Sequence, residues 1–453
     1  MIGVSGMRGT VGGSLSPRVV YRMAAAFADW LWSRHDGDGH PVVVFGRDSR
    51  PSGPFVRDAA ASALHAAGIE VKDLGIVTTP GVAMMVKDCH ADAGMVATAS
   101  HNPIQWNGLK FLNSQGIAPP PNDIAEIRQR YDDEVERLSK VEGLVAPAPE
   151  TKTNAFQVKS VLDRCDVLGV STKMFKVVLD SVNGAGCISA ATMLSKLGCR
   201  LVHLGDRPNG QFPHEPEPIA QNLTMLADEV RRQKAAIGFA QDPDADRLAI
   251  IDEHGTYIGE EYTLALAAKF VFMKKPGETA VTNLSTSRMI DDIAQAAGGK
   301  VLRTPVGEAN VVHTMIEQGS TIGGEGNGGV IDPRIVPGRD SLVAMSFVLQ
   351  LMAETGKTVS ELVAEIPSYT IVKDKFECRR EDADRAVKAV AEHFKNEKVD
   401  LQDGVRVDWP DTWVSARASN TEPIMRVIAE APTEEAAKAK IDEARKVIVA
   451  ALA

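Results

Sequence analysis

The sequence has few cysteines, few aromatic residues and no excess of basic residues. Only five cysteines occur in 453 residues, and none of them forms a CxxC pair. They are Cys89, Cys165, Cys187, Cys199 and Cys378. An odd, sparse set argues against a disulfide scaffold and a zinc site. The net charge of -10 argues against nucleic-acid binding, which normally requires a basic surface, although a local arginine cluster can still bind a small anion.

Long apolar runs are also missing. The N-terminus, MIGVSGMRGT, has no apolar signal core, so it does not resemble a secretory signal. The most apolar helical stretch runs from Tyr262 to Met273, is interrupted by Lys269 and is too short to span a bilayer. We therefore expect a cytoplasmic protein that binds neither nucleic acid nor membrane.

A strand, a polar turn and a helix follow one another in three separate stretches. These begin at PVVVFGRDSRPSG, FKVVLDSVNGAG and TAVTNLSTSRM, and such units are typical of α/β domains. A different, alternating pattern begins near EIPSYTIVKDKFECRR. The fold class is therefore predicted as α/β, with three similar mixed α/β domains and a smaller C-terminal α+β domain. The expected bounds are 1–145, 155–254, 255–366 and 367–453, with the polar stretch 141–156 as a linker.

The stretch QDPDADRLAIID contains three alternating carboxylates, Asp242, Asp244 and Asp246. In an extended loop every second residue points the same way, so the three can converge on one hard cation. Oxygen ligands suit Mg²⁺. The alternatives are an EF-hand loop, in which Arg247 would occupy the position that needs glycine, and a solvated acidic turn.

The stretch TASHNP places Ser100 at the end of an apolar run. A serine hydroxyl is a weak nucleophile unless a neighbour activates it. His101 and Lys110 supply cationic or proton-transferring groups, and small neighbouring residues leave room for a ligand. We expect Ser100 to be exposed in a cleft; the alternative is that it only caps its turn.

Three further loops carry groups that bind ligands. GGEGNGG surrounds Glu325 and Asn327 with glycines, so that a ligand can approach closely, although such a loop is often only a turn. RASNTEP sets a guanidinium beside three short polar side chains, which is how a phosphate is held. Its residues are Arg417, Ser419, Asn420 and Thr421. The third loop, SGMRGT, contains Arg8. Together the three loops predict phosphoryl chemistry. The sequence has no Walker A or protein-kinase motif, which would indicate a nucleotide as the phosphoryl donor.

The chain resembles the α-D-phosphohexomutases, the superfamily of phosphoglucosamine mutase, phosphomannomutase and phosphoglucomutase. The motifs SGMRGT, GRDSRPSG, TASHNP, NGLKF, DPDADR, GEGNGG and RASNTEP occur in the superfamily's order over essentially the whole chain. The resemblance implies four domains around one central cleft, which in chain order carry a phosphoserine, bind the metal, bind the sugar and bind a phosphate. It also implies interconversion of hexose 1-phosphate and hexose 6-phosphate through a bisphosphorylated sugar, with hexose 1,6-bisphosphate as activator.

The same resemblance implies a role for each residue. Ser100 would carry the phosphoryl group, and the other catalytic residues would be Arg8, His101, Lys110 and Arg247. One Mg²⁺ would be held by Ser100, Asp242, Asp244 and Asp246. The hexose phosphate would be bound by Glu308, Glu325, Asn327, Arg417, Ser419, Asn420 and Thr421.

Departures from the superfamily's pattern leave the general base open. Many members have GExSGH in the sugar loop, whereas Asn327 and Gly329 replace the serine and the histidine here. Glu308 in PVGEANV also replaces a histidine or aspartate. Lys110, His101 and Glu308 are therefore alternative proton-transfer groups. We expect glucosamine phosphate as the substrate; the alternatives are mannose or glucose phosphate, a sugar-phosphate phosphatase, and a sensor without activity.

Overall fold

The computed structural model describes residues 2–3, 6–140, 144–145, 147–418 and 424–452. These residues form four β-sheets that follow one another along the chain. The first three sheets mix parallel and antiparallel strands and pack against helices, and the fourth is antiparallel. The predicted fold class is confirmed. Among the described residues, no helix is long and apolar enough to cross a membrane.

The first sheet has seven strands in the order β1-β2-β6-β5-β3-β4-β7. The strands are β1 (Ile2–Gly3), β2 (Gly6–Thr10), β3 (Val42–Arg47), β4 (Glu70–Ile76), β5 (Ala93–Ala97), β6 (Trp106–Leu112) and β7 (Ala148–Pro149). The helices are α1 (Pro17–Trp32), α2 (Gly53–Ala66), α3 (Thr79–Asp88) and α4 (Pro121–Asp132). Strands β3, β4 and β5 are parallel, whereas β6 runs antiparallel to both β5 and β2.

Successive side chains of β3 point to opposite faces of this sheet and belong to two different hydrophobic cores. Val43 and Phe45 belong to the cluster that also contains residues of α1 and α2, while Val44 belongs to the cluster formed with α3. Successive strand residues point to opposite faces, so a continuous apolar strand is buried on both sides. This is why an apolar run such as VVVF predicts a covered strand.

The second and third sheets each have four strands, in the orders β11-β10-β8-β9 and β13-β12-β14-β15. The second comprises α5 (Thr153–Leu162), α6 (Val167–Ser171), β8 (Lys176–Asp180), α7 (Cys187–Lys196), β9 (Arg200–Leu204), α8 (Thr224–Gln233), β10 (Ile237–Gln241) and β11 (Leu248–Ile251). The third comprises α9 (Glu260–Lys274), β12 (Thr279–Asn283), α10 (Met289–Ala296), β13 (Lys300–Thr304), α11 (Glu308–Gln318), β14 (Ile322–Glu325), β15 (Gly329–Ile331), α12 (Ser341–Thr355) and α13 (Val359–Ala364). One large core cluster joins residues of both.

The fourth sheet has the order β16-β20-β19-β18-β17, with every pair antiparallel. Its elements are β16 (Thr370–Glu377), α14 (Ala383–His393), β17 (Lys398–Asp400), β18 (Val405–Asp408), β19 (Trp413–Ala418), β20 (Ile424–Ala431) and α15 (Glu434–Leu452). The structure differs from the sequence expectation in the stretch 141–156. There β7 pairs with β4 and α5 begins at Thr153, so part of the expected linker belongs to the first sheet.

Candidate active site

Ser100 lies in the turn that follows β5, after Thr98 and Ala99, and its hydroxyl faces the second domain. Its backbone has φ +53, a left-handed conformation that is uncommon for a residue other than glycine. The turn is stabilised by the Thr98 hydroxyl, which accepts a hydrogen bond from the Ser100 amide at 2.9 Å. The Ser100 hydroxyl in turn donates to Asp242 Oδ2 at 2.9 Å. Ser100 is 1% exposed, so the expectation of an exposed serine was wrong, because the acidic loop of the second domain covers it.

Arg50 is fully buried and holds the serine loop from behind. Its Nη2 donates to the carbonyls of Ser100 and Asn102, both at 2.6 Å, and its Nη1 donates to those of Pro103 and Trp106 at 2.8 and 3.0 Å. Its Nε pairs with a buried aspartate, Asp48, at 3.0 Å. Since five donors in a rigid fork meet five acceptors, Arg50 fixes the loop and is not available to bind a phosphate.

The acidic loop between β10 and β11 brings three buried carboxylates together. Asp242, Asp244 and Asp246 each offer one oxygen, and these three oxygens lie within 4.8 Å of one another. The loop is a turn rather than the extended segment that we expected. Ala245 has φ +57, and its amide donates to the Asp242 carbonyl at 2.9 Å.

This cluster fits a hard cation. Of the groups that the structure describes, Asp244 Oδ1 and Asp246 Oδ1 are buried and have no hydrogen-bond partner, and buried carboxylate oxygens left in that way are costly. Burial and the charges of Asp246 and Asp244 also raise the pKa of Asp242 well above its ordinary value. A cation would relieve both penalties, and an all-oxygen donor set suits Mg²⁺ or Ca²⁺.

Lysine and arginine side chains surround the acidic loop. Lys110 on β6 donates from Nζ to Asp244 Oδ2 at 2.6 Å and to Asp246 Oδ2 at 3.3 Å. Burial alone would lower the pKa of Lys110, but these two carboxylates outweigh it and raise the pKa above its ordinary value. Arg8 lies on the adjacent strand β2, and Arg247 Nε lies 3.8 Å from Asp246 Oδ1. Lys110 is therefore held as a charged ammonium group.

The predicted sugar loop joins β14 to β15; Glu325 is the last residue of β14, and Asn327 lies between the two strands. Glu325 Oε1 accepts a hydrogen bond from Asn283 Nδ2 at 2.8 Å, and its Oε2 lies 3.5 Å from Asn327 Nδ2. Arg339 completes the environment by donating from Nη1 to Glu325 Oε2 at 2.8 Å and from Nη2 to Asp246 Oδ2 at 2.8 Å. The sugar loop and the acidic loop are thus joined through one guanidinium group, which the sequence patterns did not reveal.

The three proton-transfer candidates differ in their electrostatics. Burial and the guanidinium groups of Arg247 and Arg8 lower the pKa of His101 to about 3, so its imidazole is neutral at pH 7. Burial raises the pKa of Glu308, although Arg339 opposes this. Glu308 shares a cavity of about 80 Å³ with Arg8, Thr79, Lys110 and Arg339. The structure therefore brings Glu308 together with the cations of the site.

Arg417 lies on β19, where its Nη1 donates to Asp403 Oδ2 at 3.2 Å. The same oxygen accepts the amide of Val306 at 3.0 Å, two residues before Glu308. The predicted phosphate donors Ser419, Asn420 and Thr421 lie outside the described residues. A larger groove of about 670 Å³ lies between the third and fourth sheets, where it is lined by other residues such as Arg303 and Trp409.

Comparison with known proteins identifies the family. The chain matches phosphoglucomutase/phosphomannomutase alpha/beta/alpha domains I, II and III over residues 1–138, 158–255 and 259–369, and the C-terminal domain over 375–447. It is 36% identical over 457 residues to the "Phosphoglucomutase/phosphomannomutase" of Thermococcus kodakarensis, covering 100% of this chain and 99% of that protein. The chain belongs to the phosphoglucomutase/phosphomannomutase family.

Two further relatives agree with this membership. The "Probable phosphoglucosamine mutase" of Methanopyrus kandleri is 37% identical over 445 residues, covering 97% of this chain and 96% of that protein. The crystal structure of a phosphoglucomutase/phosphomannomutase family protein from Burkholderia thailandensis matches with a TM-score of 0.86 at 27% identity, covering 100% and 98% of the two chains. The predicted superfamily is confirmed, and the chain is a phosphohexomutase, an isomerase of the phosphotransferase type.

Proposed function

We propose that this phosphohexomutase interconverts glucosamine 1-phosphate and glucosamine 6-phosphate through a phosphoserine at Ser100. The observation that carries the proposal is the contact between the Ser100 hydroxyl and Asp242 at 2.9 Å, beside two carboxylate oxygens of the same acidic loop that have no hydrogen-bond partner among the described residues. A serine that only capped its own turn would not need a neighbouring domain to supply three carboxylates. The proposed site residues are those that the resemblance implied.

The acidic loop would hold one Mg²⁺ per site, with the phosphoserine as a further ligand. Asp242, Asp244 and Asp246 would bind it, and its charge would offset the negative charge of the phosphoryl group during transfer. Lys110, Arg8 and Arg247 add fixed positive charge at the same place, and such preorganised charge is the main source of catalysis in phosphoryl transfer.

In the transfer step, the phosphorus–oxygen bond of phosphoserine breaks while a sugar hydroxyl forms the new one. The Ser100 oxygen is released, and the proton of the sugar hydroxyl passes to a base. We favour Glu308 for this proton, because it shares its cavity with Arg8 and Lys110, and because its raised pKa brings it nearer to the operating pH. Lys110 is held protonated by its two aspartates, and His101 is a weak base.

Substrate orientation would depend on the other two domains. Glu325 and Asn327 would bind sugar hydroxyls, and the group around Arg417 would hold the phosphate that does not react. The bisphosphorylated sugar would then turn around in the cleft and return its other phosphate to Ser100. Free hexose 1,6-bisphosphate would act as activator, because it can phosphorylate Ser100 by the same step.

A second candidate function is a phosphomannomutase/phosphoglucomutase. It is favoured by the name of the Thermococcus kodakarensis relative, whereas glucosamine phosphate is favoured by the name of the Methanopyrus kandleri relative. A coupled assay with the three hexose 1-phosphates, Mg²⁺ and a trace of bisphosphate separates them. We expect the largest kcat/KM for glucosamine 1-phosphate, and a preference of tenfold or more for mannose or glucose phosphate would transfer the proposal to that sugar.

The substitution Ser100→Ala tests the phosphoserine. We expect it to abolish turnover and to leave the melting temperature nearly unchanged, because the loop is held by backbone contacts to Arg50. Intact-mass measurement should show a phosphorylated fraction in the wild type that the variant lacks. Ser62→Ala, on the exposed surface of α2, is the matched control and should retain both activity and the phosphorylated fraction. Turnover by Ser100→Ala at the rate of the wild type would contradict the mechanism.

A further inference from the structure

Arg339, in the segment between β15 and α12, connects loops of two domains. Its guanidinium donates to Asp246 of the acidic loop and to Glu325 of the sugar loop, both at 2.8 Å. It also lies 3.5 Å from Glu308 Oε2, and Glu308 Oε1 accepts the Arg339 amide at 2.6 Å. Arg339 is only 9% exposed. A single side chain therefore pairs with three of the carboxylates that form the site.

The stem of Arg339 fills the space beside Gly329, the first residue of β15. A Cβ at position 329 would lie 2.1 Å from Arg339 Cδ and 2.8 Å from Arg339 Cγ, and the next atom, Asn327 Oδ1, would be 3.1 Å away. The φ of Gly329 is outside the left-handed region, so its backbone accepts alanine. Among the described residues, the arginine stem stands closest to this position and is the main obstacle to a side chain there.

The side chain of Arg339, which comes from another segment, occupies the space that a side chain at position 329 would need. A side chain at position 329 would therefore require the stem of Arg339 to move.

We propose that Arg339 is a positioning residue that fixes Glu325 relative to Asp246, and that the absence of a side chain at Gly329 leaves room for its stem. The acidic loop and the sugar loop then act as one unit. One nitrogen of the guanidinium holds Glu325, which would bind the sugar, and the other holds Asp246, which would bind the cation. Because a guanidinium is planar and bidentate, lysine cannot reproduce this arrangement. The catalytic part of the inference rests on the proposed function.

A double-mutant cycle tests the link between the two residues. The variants are Gly329→Ala, Arg339→Ala and the double substitution, each measured for kcat, KM and melting temperature. We expect Gly329→Ala alone to lower kcat at least tenfold, because its Cβ displaces the arginine stem. In the Arg339→Ala background the same substitution should change kcat less than twofold, since the obstructing atoms are gone.

Two controls distinguish this coupling from a general loss of stability. Gly328→Ala would place its Cβ 2.4 Å from the carbonyl oxygen of Leu248 at φ +83, so Arg339→Ala should not relieve it. Arg339→Lys keeps the Cγ and Cδ atoms, so Gly329→Ala should lower the melting temperature in that background as much as in the wild type. The lysine variant also supplies the measurement if Arg339→Ala does not fold.

A positioning role further predicts which kinetic parameter changes. At a temperature where every variant is folded, Arg339→Ala and Arg339→Lys should lower kcat by tenfold or more with KM within threefold, because the contacts to the non-reacting phosphate remain. An equal cost of Gly329→Ala with and without Arg339, or a full kcat in Arg339→Ala, would overturn the inference. If the wild type converts none of the sugar phosphates, the proposed function fails, while the melting temperatures still decide whether residues 329 and 339 are coupled.

Discussion

Glu261, on the first turn of α9, is a carboxylate placed against the backbone of the sugar loop. Its Oε2 accepts the amide of Ser287 at 3.0 Å, and Gly326 packs so closely that a Cβ there would lie 2.0 Å from its Oε1. Burial raises the pKa of Glu261 to about 8, with smaller contributions from Glu260 and Glu430. The folded protein therefore prefers the protonated form over most of the neutral range.

This preference predicts a pH dependence of stability. The folded pKa lies above the value of about 4.3 expected in the unfolded chain, so the stabilising contribution is present at low pH and is lost as the pH rises from about 5 to 8. Glu261→Gln keeps a neutral group at all pH values and should flatten the fall in melting temperature over this window. Scanning calorimetry at pH 5, 6.5 and 8 measures the slope.

The control for this experiment is Glu317→Gln, on the exposed side of α11. Its curve of melting temperature against pH should follow that of the wild type. Parallel curves for the wild type and Glu261→Gln between pH 5 and 8 would show that Glu261 is ionised in the folded protein.

At the scale of elements, the serine loop depends on one buried side chain. Arg50 binds four carbonyls from Ser100 to Trp106, at the end of the serine loop and the start of β6, and a buried carbonyl is costly to leave unpaired. We expect Arg50→Lys to destabilise the protein by about 3 kcal/mol or more, since an ammonium group has only three donors and breaking a buried ion pair is expensive. Hydrogen exchange measured by mass spectrometry should show faster exchange in peptides covering residues 98–106.

Arg57→Lys provides the matched comparison. Arg57 lies on α2, which follows Arg50 in the chain, but it is partly exposed and pairs with Asp58 and Asp73. Exposed pairs contribute little, so this variant should lose less than about 1 kcal/mol and leave exchange in 98–106 unchanged. Similar losses in the two variants would mean that Arg50 does not hold the loop.

Short local patterns identified the loops that carry Ser100, the three aspartates and Glu325, because the residue types within each loop indicate chemistry by themselves. The same patterns misjudged the local geometry of the acidic loop, where Pro243 and Ala245 form a turn. Proline is a residue that favours turns, so this signal was available in the sequence.

Long-range partners left no comparable signal. Arg339 and Asp246 are 93 residues apart, and PGRDS, which contains Arg339, looks only like the start of a helix, with Asp340 as the N-cap of α12. The roles of Arg50 and Asp403 likewise depend on contacts that form only when separate elements pack. A sequence pattern can indicate that a loop carries chemistry, but it cannot say which distant side chain holds that loop in place.

At the scale of the whole molecule, the third and fourth domains meet at the proposed phosphate site. Arg417→Ala should raise KM for the hexose 1-phosphate about tenfold or more, because a charge-assisted pair contributes about 1.5–3 kcal/mol and 1.4 kcal/mol corresponds to tenfold. It should also release bisphosphate into solution, since the intermediate is no longer held while it turns. Steady-state kinetics and an enzymatic assay for free bisphosphate provide the two measurements.

Arg417→Lys keeps the charge without the fork and should recover only part of the affinity. Arg445→Ala, which removes an exposed arginine of the same domain that pairs with Asp374, should change neither KM nor the release of bisphosphate. An unchanged KM in Arg417→Ala would place the phosphate site elsewhere in the cleft.

The shared oxygen of Asp403 makes the proposed phosphate site an anion-exchange equilibrium. A carboxylate of the same chain already accepts from Arg417, so an anion from solution must displace it in order to bind there. A phosphate dianion can replace it because of its higher charge and its additional oxygens, whereas acetate or chloride offers no such advantage. A ligand must therefore bind Arg417 more strongly than the Asp403 carboxylate does. Because the amide of Val306 donates to the same carboxylate oxygen, displacement of Asp403 would also change a contact of the neighbouring domain.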